Sequence, residues 1–252
     1  ASLRTVENSR IDAKALRLAA PSRCRASHGE TRVLLPDLSD LRPYCGDVSD
    51  QNPVTAEYPD SPFHTTGTDH VTIWGSNEED TVAFYRDLLG MRLVLRQPNL
   101  DDPSQTHLFF DTGDGRILTF FVSDDRQSNR TGQRGGVGAV HHLCFSVAPE
   151  EFEEVVQAIE DDGRNYNIFD RGIFFSLYTH DNNGLVIELS TDKYDIPDDR
   201  RADVLAKTQE IREADGADYA KDEHLAEALT ELGLDATAYD LPDAESGVGG
   251  VE

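Results

Sequence analysis

The feature that most constrains this chain is an internal repeat. When the sequence is compared with itself at a shift of 72 residues, residues 69–74 (Asp-His-Val-Thr-Ile-Trp) lie over residues 141–146 (His-His-Leu-Cys-Phe-Ser). Both segments alternate in the way that is typical of a half-buried β-strand. A duplicated segment of this length predicts two copies of one supersecondary unit that pack against each other.

Each copy continues from its first strand into a helix and then into further strands. Asn77 is a predicted N-cap and Pro149 a predicted first-turn proline, while Gly90 and Gly163 end the two helices. Apolar or alternating runs bounded by glycine turns predict later strands at 107–110, 115–121, 174–178 and 184–189. The sequence therefore predicts an α+β fold, in which two βαβββ repeats form a curved mixed sheet around a site.

The rest of the chain differs in composition from the repeats. Its first 34 residues carry seven basic and three acidic residues, and 35–65 contain five prolines without a sustained period. An N-terminal targeting peptide remains an alternative to an irregular extension. The predicted divisions are an irregular or disordered extension (1–65), the repeat domain (66–193, with repeats 66–124 and 138–193), an acidic helical extension (194–239) and a flexible tail (240–252).

Charge and cysteine content exclude several classes of function. The 252 residues include 23 Lys and Arg against 48 Asp and Glu, a formal charge of −25, which argues against nucleic-acid or acidic-membrane partners. Such self-repulsion suits a salt-rich, halophilic cytoplasm that screens it. Three cysteines without a CxxC spacing favour neither a disulfide framework nor a zinc knuckle, and no apolar run is long enough to span a bilayer. We therefore expect a soluble cytoplasmic protein.

Three residues of the repeats form a candidate metal site. His70 and His142 occupy equivalent positions of the two first strands, and Glu188 interrupts an otherwise apolar strand. A single histidine on a strand is commonly a hydrogen-bonded core residue, but burying an unpaired carboxylate costs several kcal/mol. Two imidazoles and one carboxylate make a facial ligand set for a divalent metal with open positions. The sequence therefore predicts that His70, His142 and Glu188 converge.

The repeat, the strand starts at His70 and His142 and the closing segment 178–188 resemble the vicinal oxygen chelate superfamily. This superfamily includes glyoxalase I, type I extradiol ring-cleaving dioxygenases, fosfomycin-resistance enzymes, methylmalonyl-CoA epimerase and bleomycin-binding proteins. The resemblance covers about residues 66–191, half of the chain. It implies the two-repeat fold and a divalent metal at the three predicted ligands.

The closing segment is similar to the signature of extradiol dioxygenases. Tyr178, Asp181, Gly184 and Glu188 fit that signature, whereas Asn182 stands where the signature has proline. The resemblance implies that the tyrosine hydrogen-bonds bound substrate or an oxygen species. It therefore favours a metal-dependent extradiol-type dioxygenase that cleaves a catechol-like or hydroquinone-like ring with O2.

Departures from the family pattern refine this prediction. Glyoxalase I has a fourth ligand, a carboxylate, where this chain has Thr119, so we expect a three-ligand site and Fe(II) as the metal, with Mn, Zn, Ni or Co as alternatives. The histidine that the signature places upstream of Tyr178 is absent from residues 170–172. We therefore predict His107 and His180 as candidate acid or base residues beside Tyr178.

The alternatives are other reactions of the same superfamily. A glyoxalase-type or epimerase-type lyase or isomerase would use the metal to stabilise an enediolate. A fosfomycin-type transferase also uses two histidines and one glutamate. A non-catalytic binding module would need no metal. The predicted partners are a small aromatic substrate and O2. The two repeats can complete the site within one chain or across a homodimer, and the sequence leaves both arrangements open.

Overall fold

The computed structural model describes residues 54–130 and 135–242. Most of the predicted N-terminal extension, residues 1–53, lies outside these ranges, as do residues 243–252 of the predicted tail. Residues 54–69 contain no helix or strand. Among the described residues, the first helix or strand begins at His70, the first residue of the first repeat strand.

The first module has the order βαβββ. Its elements are β1 (His70–Trp74), α1 (Glu78–Val82) with a following π-helical turn (Ala83–Leu88), β2 (Arg92–Pro98), β3 (Thr106–Asp111) and β4 (Ile117–Val122). The sheet order is β1-β4-β3-β2, with β1 parallel to β4 and the other pairs antiparallel.

The second module repeats this order. Its elements are β5 (His142–Ser146), a 3₁₀ turn (Pro149–Glu151), α2 (Phe152–Asp161), β6 (Asn167–Asp170), β7 (Phe174–His180) and β8 (Val186–Asp192). Its sheet order, β5-β8-β7-β6, is the same as that of the first module. The predicted α+β fold of two βαβββ modules is confirmed.

The modules differ from the prediction in one respect, because they form two four-stranded sheets rather than one curved sheet. Within the described ranges, each ladder of backbone hydrogen bonds stays inside one module. Side chains join the modules instead: the Tyr85 hydroxyl donates to Asp181 Oδ2 at 2.8 Å, and the Arg164 guanidinium lies 4.3 Å from the centroid of the Phe84 ring.

Local signals place the helix ends where they were predicted. The Asn77 side chain accepts a hydrogen bond from the Asp80 backbone N–H at 2.8 Å, as an N-cap does. Pro149 lies in the first turn of the second module's helical segment. Gly90 and Gly163 have φ angles of 71° and 68°, a left-handed conformation that a side chain disfavours.

Strand alternation gives each sheet a buried face and a second, less buried face. One continuous apolar core lies under both modules, on the side of the helices. Its largest fully buried side chains include Phe84, Tyr85, Leu108, Phe110, Phe120, Phe152, Ile159, Leu177 and Ile187. Because successive strand residues point to opposite faces, His70, Thr72 and Trp74 and their counterparts in β5 lie on the other side.

Asn182, which replaces the signature proline, ties the modules together. It lies buried in the turn between β7 and β8, and its Nδ2 donates to Ser76 Oγ at 2.7 Å and to Thr81 Oγ1 at 3.1 Å. Ser76 directly precedes the N-cap Asn77, and Thr81 lies within α1. A proline could not make these contacts, so the departure from the family pattern has a structural role.

The C-terminal extension consists of two helices. They are α3 (Arg201–Asp215), preceded by a 3₁₀ turn (Asp198–Arg200), and α4 (Asp222–Glu231). Val204, Leu225 and Leu229 form a second, smaller core with Tyr194 and Ile196. None of the helices in the described ranges has both the length and the apolar character needed to cross a bilayer.

Candidate functional site

Three neighbouring strands of the second module bring His142, Tyr178 and Glu188 to one face. In the parallel pair β5–β8, Cys144 stands opposite Glu188, and in the antiparallel pair β7–β8, Tyr178 stands opposite Glu188. Residues two apart on a strand share a face, so His142 lies on the same side as Cys144. Backbone register alone therefore assembles this part of the site.

The side chains of these three residues are in contact. His142 Nε2 lies 2.8 Å from Glu188 Oε2, and the Tyr178 hydroxyl donates to Glu188 Oε1 at 2.7 Å. The Glu188 side chain is 8% exposed and that of His142 is 33% exposed. Burial raises the pKa of Tyr178, and its hydrogen bond to Glu188 raises it further. Glu188 thus has both carboxylate oxygens engaged in a largely buried position.

His141 contacts the ring of His142, and the neighbouring Cys144 thiol stays uncharged. His141 Nδ1 lies 2.8 Å from His142 Nδ1, so both ring nitrogens of His142 have a partner. Desolvation of the Cys144 thiol, together with the charge of Glu188, raises its pKa to about 12. Cys144 is therefore a neutral thiol at neutral pH, whereas a thiolate is the form that binds metals.

His70 does not join His142 and Glu188 within the chain. It lies on β1 of the other sheet, with its Nδ1 2.6 Å from Asp69 Oδ1 and its side chain 56% exposed. Among the described residues, no three His, Cys, Asp or Glu side chains come together as a metal-binding group. The structure therefore brings together two of the three predicted ligands.

The first module has a hydroxyl where the second has its carboxylate. Thr119 stands opposite Thr72 in the β1–β4 pair, just as Glu188 stands opposite Cys144 in β5–β8. Thr119 is fully buried, and its Oγ1 donates to Thr72 Oγ1 at 2.8 Å. This threonine is already satisfied by its neighbour, so it offers no carboxylate to a fourth coordination position.

The outer face of the first sheet is aromatic. The His107 ring lies 4.0 Å from the Phe109 centroid and 4.5 Å from that of Phe121, and Trp74, which is 66% exposed, packs on Phe121. Burial lowers the pKa of His107, and the nearby His70 lowers it further. His107 Nε2 is buried without a hydrogen-bond partner in the described structure. This face thus carries an unsatisfied polar atom beside exposed aromatic surface.

His180, the second predicted acid or base residue, ends β7 two residues after Tyr178. Alternation places it on the same face as Tyr178. Burial lowers the pKa of its ring, and its backbone carbonyl accepts a hydrogen bond from Arg164 at 2.7 Å. The neutral imidazole is therefore the favoured form of His180 at neutral pH.

A cavity of about 620 Å³ extends from His142 and Glu188 along the second sheet. Phe174 of β7 lines it, together with Tyr194 and Tyr239 of the C-terminal region. Sequence analysis missed the two tyrosines, because neither belongs to a periodic segment. The hydrogen bond from the Tyr239 N–H to the Lys193 carbonyl, 2.9 Å, is a long-range contact with no local signal.

Parts of the chain are similar to proteins named as dioxygenases. Over 102 residues it is 33% identical to "Putative ring-cleaving dioxygenase MhqE" of Bacillus subtilis (strain 168), covering 39% of this chain and 32% of that protein. Over 134 residues it is 31% identical to "Putative ring-cleaving dioxygenase MhqA" of the same organism, covering 52% and 41%. The chain thus spans only about a third to two fifths of the length of these relatives.

Solved structures with the same kind of module are also similar in part. A crystal structure titled "putative dioxygenase" from Bacillus subtilis is 25% identical, with a TM-score of 0.43, and the match covers 51% of this chain and 42% of the other. A glyoxalase family protein from Enterococcus faecalis is 26% identical, with a TM-score of 0.40, covering 50% and 97%.

The family assignment depends on the two modules themselves. Residues 67–189, which include all eight strands except the last residues of β8, match a family model. The duplicated βαβββ order and the equivalent registers of β1–β4 and β5–β8 agree with this match. The segment 67–189 belongs to the Glyoxalase/Bleomycin resistance protein/Dioxygenase superfamily.

Proposed function

We propose that this protein is a metal-dependent ring-cleaving dioxygenase of the extradiol type, acting on a catechol-like or hydroquinone-like substrate with O2. The observation that carries the proposal is the contact of His142 Nε2 with Glu188 Oε2, with Tyr178 on the second carboxylate oxygen. The two relatives carry the name "Putative ring-cleaving dioxygenase", which supports the same reaction class.

The donor set fits a divalent metal. An imidazole nitrogen and a carboxylate oxygen, both groups that bind divalent metals, lie 2.8 Å apart on one sheet face. Imidazole and carboxylate suit Fe(II) and also Mn, Zn, Ni or Co. Bound Fe(II) would supply positions for the diol and O2 and, as a Lewis acid, would favour the deprotonated diol.

His70 of a second copy would complete the ligand set. Its side chain is exposed on a sheet face that also exposes Trp74 and leaves His107 Nε2 without a partner. A second copy laid on this face would cover the aromatic surface and bring a His142–Glu188 pair to His70. We therefore propose a homodimer with two sites, each containing residues of both copies.

Residues of this chain have distinct roles in the proposed reaction. The Tyr178 hydroxyl, which donates to Glu188, can turn to donate to an oxygen of the bound substrate. His107 and His180 can each accept a proton at a ring nitrogen, because burial lowers the pKa of both imidazoles and favours their neutral form. Phe174 and Tyr194 give the cavity aromatic surface against which a substrate ring can pack.

The first experiment measures metal content and ring cleavage together. Protein loaded anaerobically with Fe(II) in high salt is given catechol or hydroquinone in air, and O2 uptake is compared with formation of the ring-fission product. Glu188→Gln and His142→Ala should each lose most of the bound iron and the activity. His64→Ala is the matched control, since His64 lies outside both modules and contacts the Pro59 carbonyl.

Two outcomes would contradict the proposal. Retention of a full equivalent of iron by the Glu188→Gln variant would show that the metal is held elsewhere. Turnover of the hemithioacetal of methylglyoxal without O2 uptake would instead support the lyase or isomerase alternative, in which the same metal stabilises an enediolate.

Co-expression of two inactive variants tests the shared site. In a dimer of His70→Ala with His142→Ala, one site carries both substitutions and the other carries neither. Random pairing makes half of the dimers mixed, so about a quarter of wild-type activity should return. A site contained within one chain would give no recovery, because every copy would lack one ligand.

A further inference from the structure

Arg171 lies beside the candidate site but takes no part in the proposed ring cleavage. It follows β6, in which Asn167 stands opposite Tyr178 and Phe169 opposite Ser176. Alternation from 167 and 169 therefore places Arg171 on the face of Tyr178. Its guanidinium carbon lies 4.4 Å from the Phe169 ring centroid and 5.1 Å from that of Tyr178.

The positive charge of Arg171 is not neutralised by an acidic side chain. Although the chain has a net charge of −25, Arg171 makes no ion pair with a carboxylate in the described ranges. The adjacent Asp170 is engaged by Lys193 at 2.8 Å instead. Stacking on aromatic rings stabilises a guanidinium from its flat side and leaves its N–H edge able to donate.

The turn that carries Arg171 is held by the C-terminal extension. Lys193 Nζ lies 2.8 Å from both Asp170 Oδ2 and Asp222 Oδ2, so it bridges the turn to the start of α4. Gly172, with φ +79°, packs so closely that a Cβ would lie 2.5 Å from the Ala220 carbonyl oxygen. These contacts, here called the Lys193 clamp, fix the position from which Arg171 reaches over Tyr178.

The cavity next to His142 and Glu188 carries several acidic side chains. Asp192, Asp195 and Asp198 line it, and Arg201, which also lines it, forms a two-pronged ion pair with Asp192. These carboxylates would repel an anionic group on a substrate. Arg171, which stacks on Tyr178 outside the lining of this cavity, offers the complementary charge.

We propose that Arg171 is a substrate-binding residue that pairs with a carboxylate carried by the aromatic diol. This inference rests on the proposed function for the identity of the diol, whereas the binding of an aromatic carboxylate does not depend on metal or O2. Arg171 presents a planar pair of N–H donors that matches a carboxylate, and it holds the ring with its anionic substituent toward Tyr178.

The test compares benzoate with phenol, which is similar in shape but uncharged at neutral pH. Their dissociation constants for the metal-free, full-length protein are measured by NMR titration at one fixed salt concentration. We expect wild type to bind benzoate about tenfold more tightly than phenol, and Arg171→Met to lose that preference while keeping its affinity for phenol. Arg86→Met, which removes an exposed arginine paired with Asp87, is the control and should change neither constant.

Two further variants separate binding from structure. Arg171→Lys should retain part of the preference for benzoate, since it keeps the charge and loses the planar fork. Lys193→Met, which breaks the clamp, should weaken benzoate binding several-fold although Arg171 is present. Unfolding midpoints are measured for each variant, so that a general loss of stability is recognised.

The possible results are distinct. Equal binding of benzoate and phenol by wild type, or an unchanged preference in Arg171→Met, overturns the inference. A parallel loss of benzoate and phenol binding in Arg171→Met also overturns it, since it indicates a role in packing. If no diol is cleaved but the benzoate preference depends on Arg171, the proposed function fails and the anion-binding role remains.

Discussion

Removing the hydroxyl of Tyr85 tests how the two modules are held together. Tyr85 is fully buried on the π-helical turn of the first module, and its hydroxyl donates to Asp181 Oδ2 of the second module at 2.8 Å. The substitution Tyr85→Phe keeps the ring, whose centroid lies 4.6 Å from that of Phe120 and 5.7 Å from that of Phe110. It therefore deletes one hydrogen bond and leaves the apolar packing in place.

The expected loss follows from what remains around Asp181. Its Oδ1 accepts the backbone N–H groups of Asn183 and Leu185 at 2.7 and 2.8 Å, and its Oδ2 also accepts from the Asn183 amide at 2.7 Å. A hydrogen bond to a charged group contributes about 1.5–3 kcal/mol. Because three donors remain, we expect about 2 kcal/mol, which is less than the cost of a buried charge left wholly unpaired.

The measurement is unfolding by urea and by heat at neutral pH in high salt, monitored by circular dichroism. For a folded region of this size, a loss of 2 kcal/mol corresponds to about 4–8 °C in the thermal midpoint. The control is Tyr166→Phe, which removes a hydroxyl that donates to the exposed Glu160 at 2.6 Å and should cost well under 1 kcal/mol. Equal losses in both variants, or a loss below about 0.5 kcal/mol in Tyr85→Phe, would refute the reasoning.

Two further predictions concern a carboxylate and a glycine. The hydrogen bond from the Ser128 hydroxyl lowers the pKa of Asp80 below its usual 3.8. The stability that this hydrogen bond contributes is therefore present above pH 3.8 and is lost as the pH falls through the lower pKa of the folded state. The difference in unfolding free energy between wild type and Ser128→Ala should shrink over that range. Gly172→Ala should cost about 2–4 kcal/mol, because φ is +79° and the new Cβ meets the Ala220 carbonyl, whereas Gly163→Ala, with φ +68° and open space, should cost about 1 kcal/mol in the same urea titration.

Local signals in the sequence accounted for much of the fold. The N-cap at Asn77 and the left-handed glycines at 90 and 163 depend on residues within one turn, so they can be predicted without knowing what packs against them. The faces of the strands follow from a period of two, and in the structure His142, Glu188 and Tyr178 lie on one side of a sheet, whereas the predicted third ligand, His70, lies on the other sheet.

Other features depend on contacts between residues distant in sequence. Asn182 reaches residues about a hundred positions earlier, and Lys193 bridges a hairpin turn to a helix of the C-terminal extension. No periodicity marks such pairs in advance. The cavity wall formed by Tyr194 and Tyr239 was missed for the same reason, although the helices around it were predicted from their apolar spacing.

The sequence by itself determined the duplicated βαβββ order, the helix ends and the residues that share a face, because each of these depends on backbone periodicity and neighbours along the chain. Only the tertiary structure decided that the modules form two sheets joined by buried side chains, that His142 pairs with Glu188 while His70 lies on the other sheet, and that Arg171 reaches over Tyr178. These outcomes depend on how whole modules pack, which is set by long-range contacts such as that of Tyr85 with Asp181.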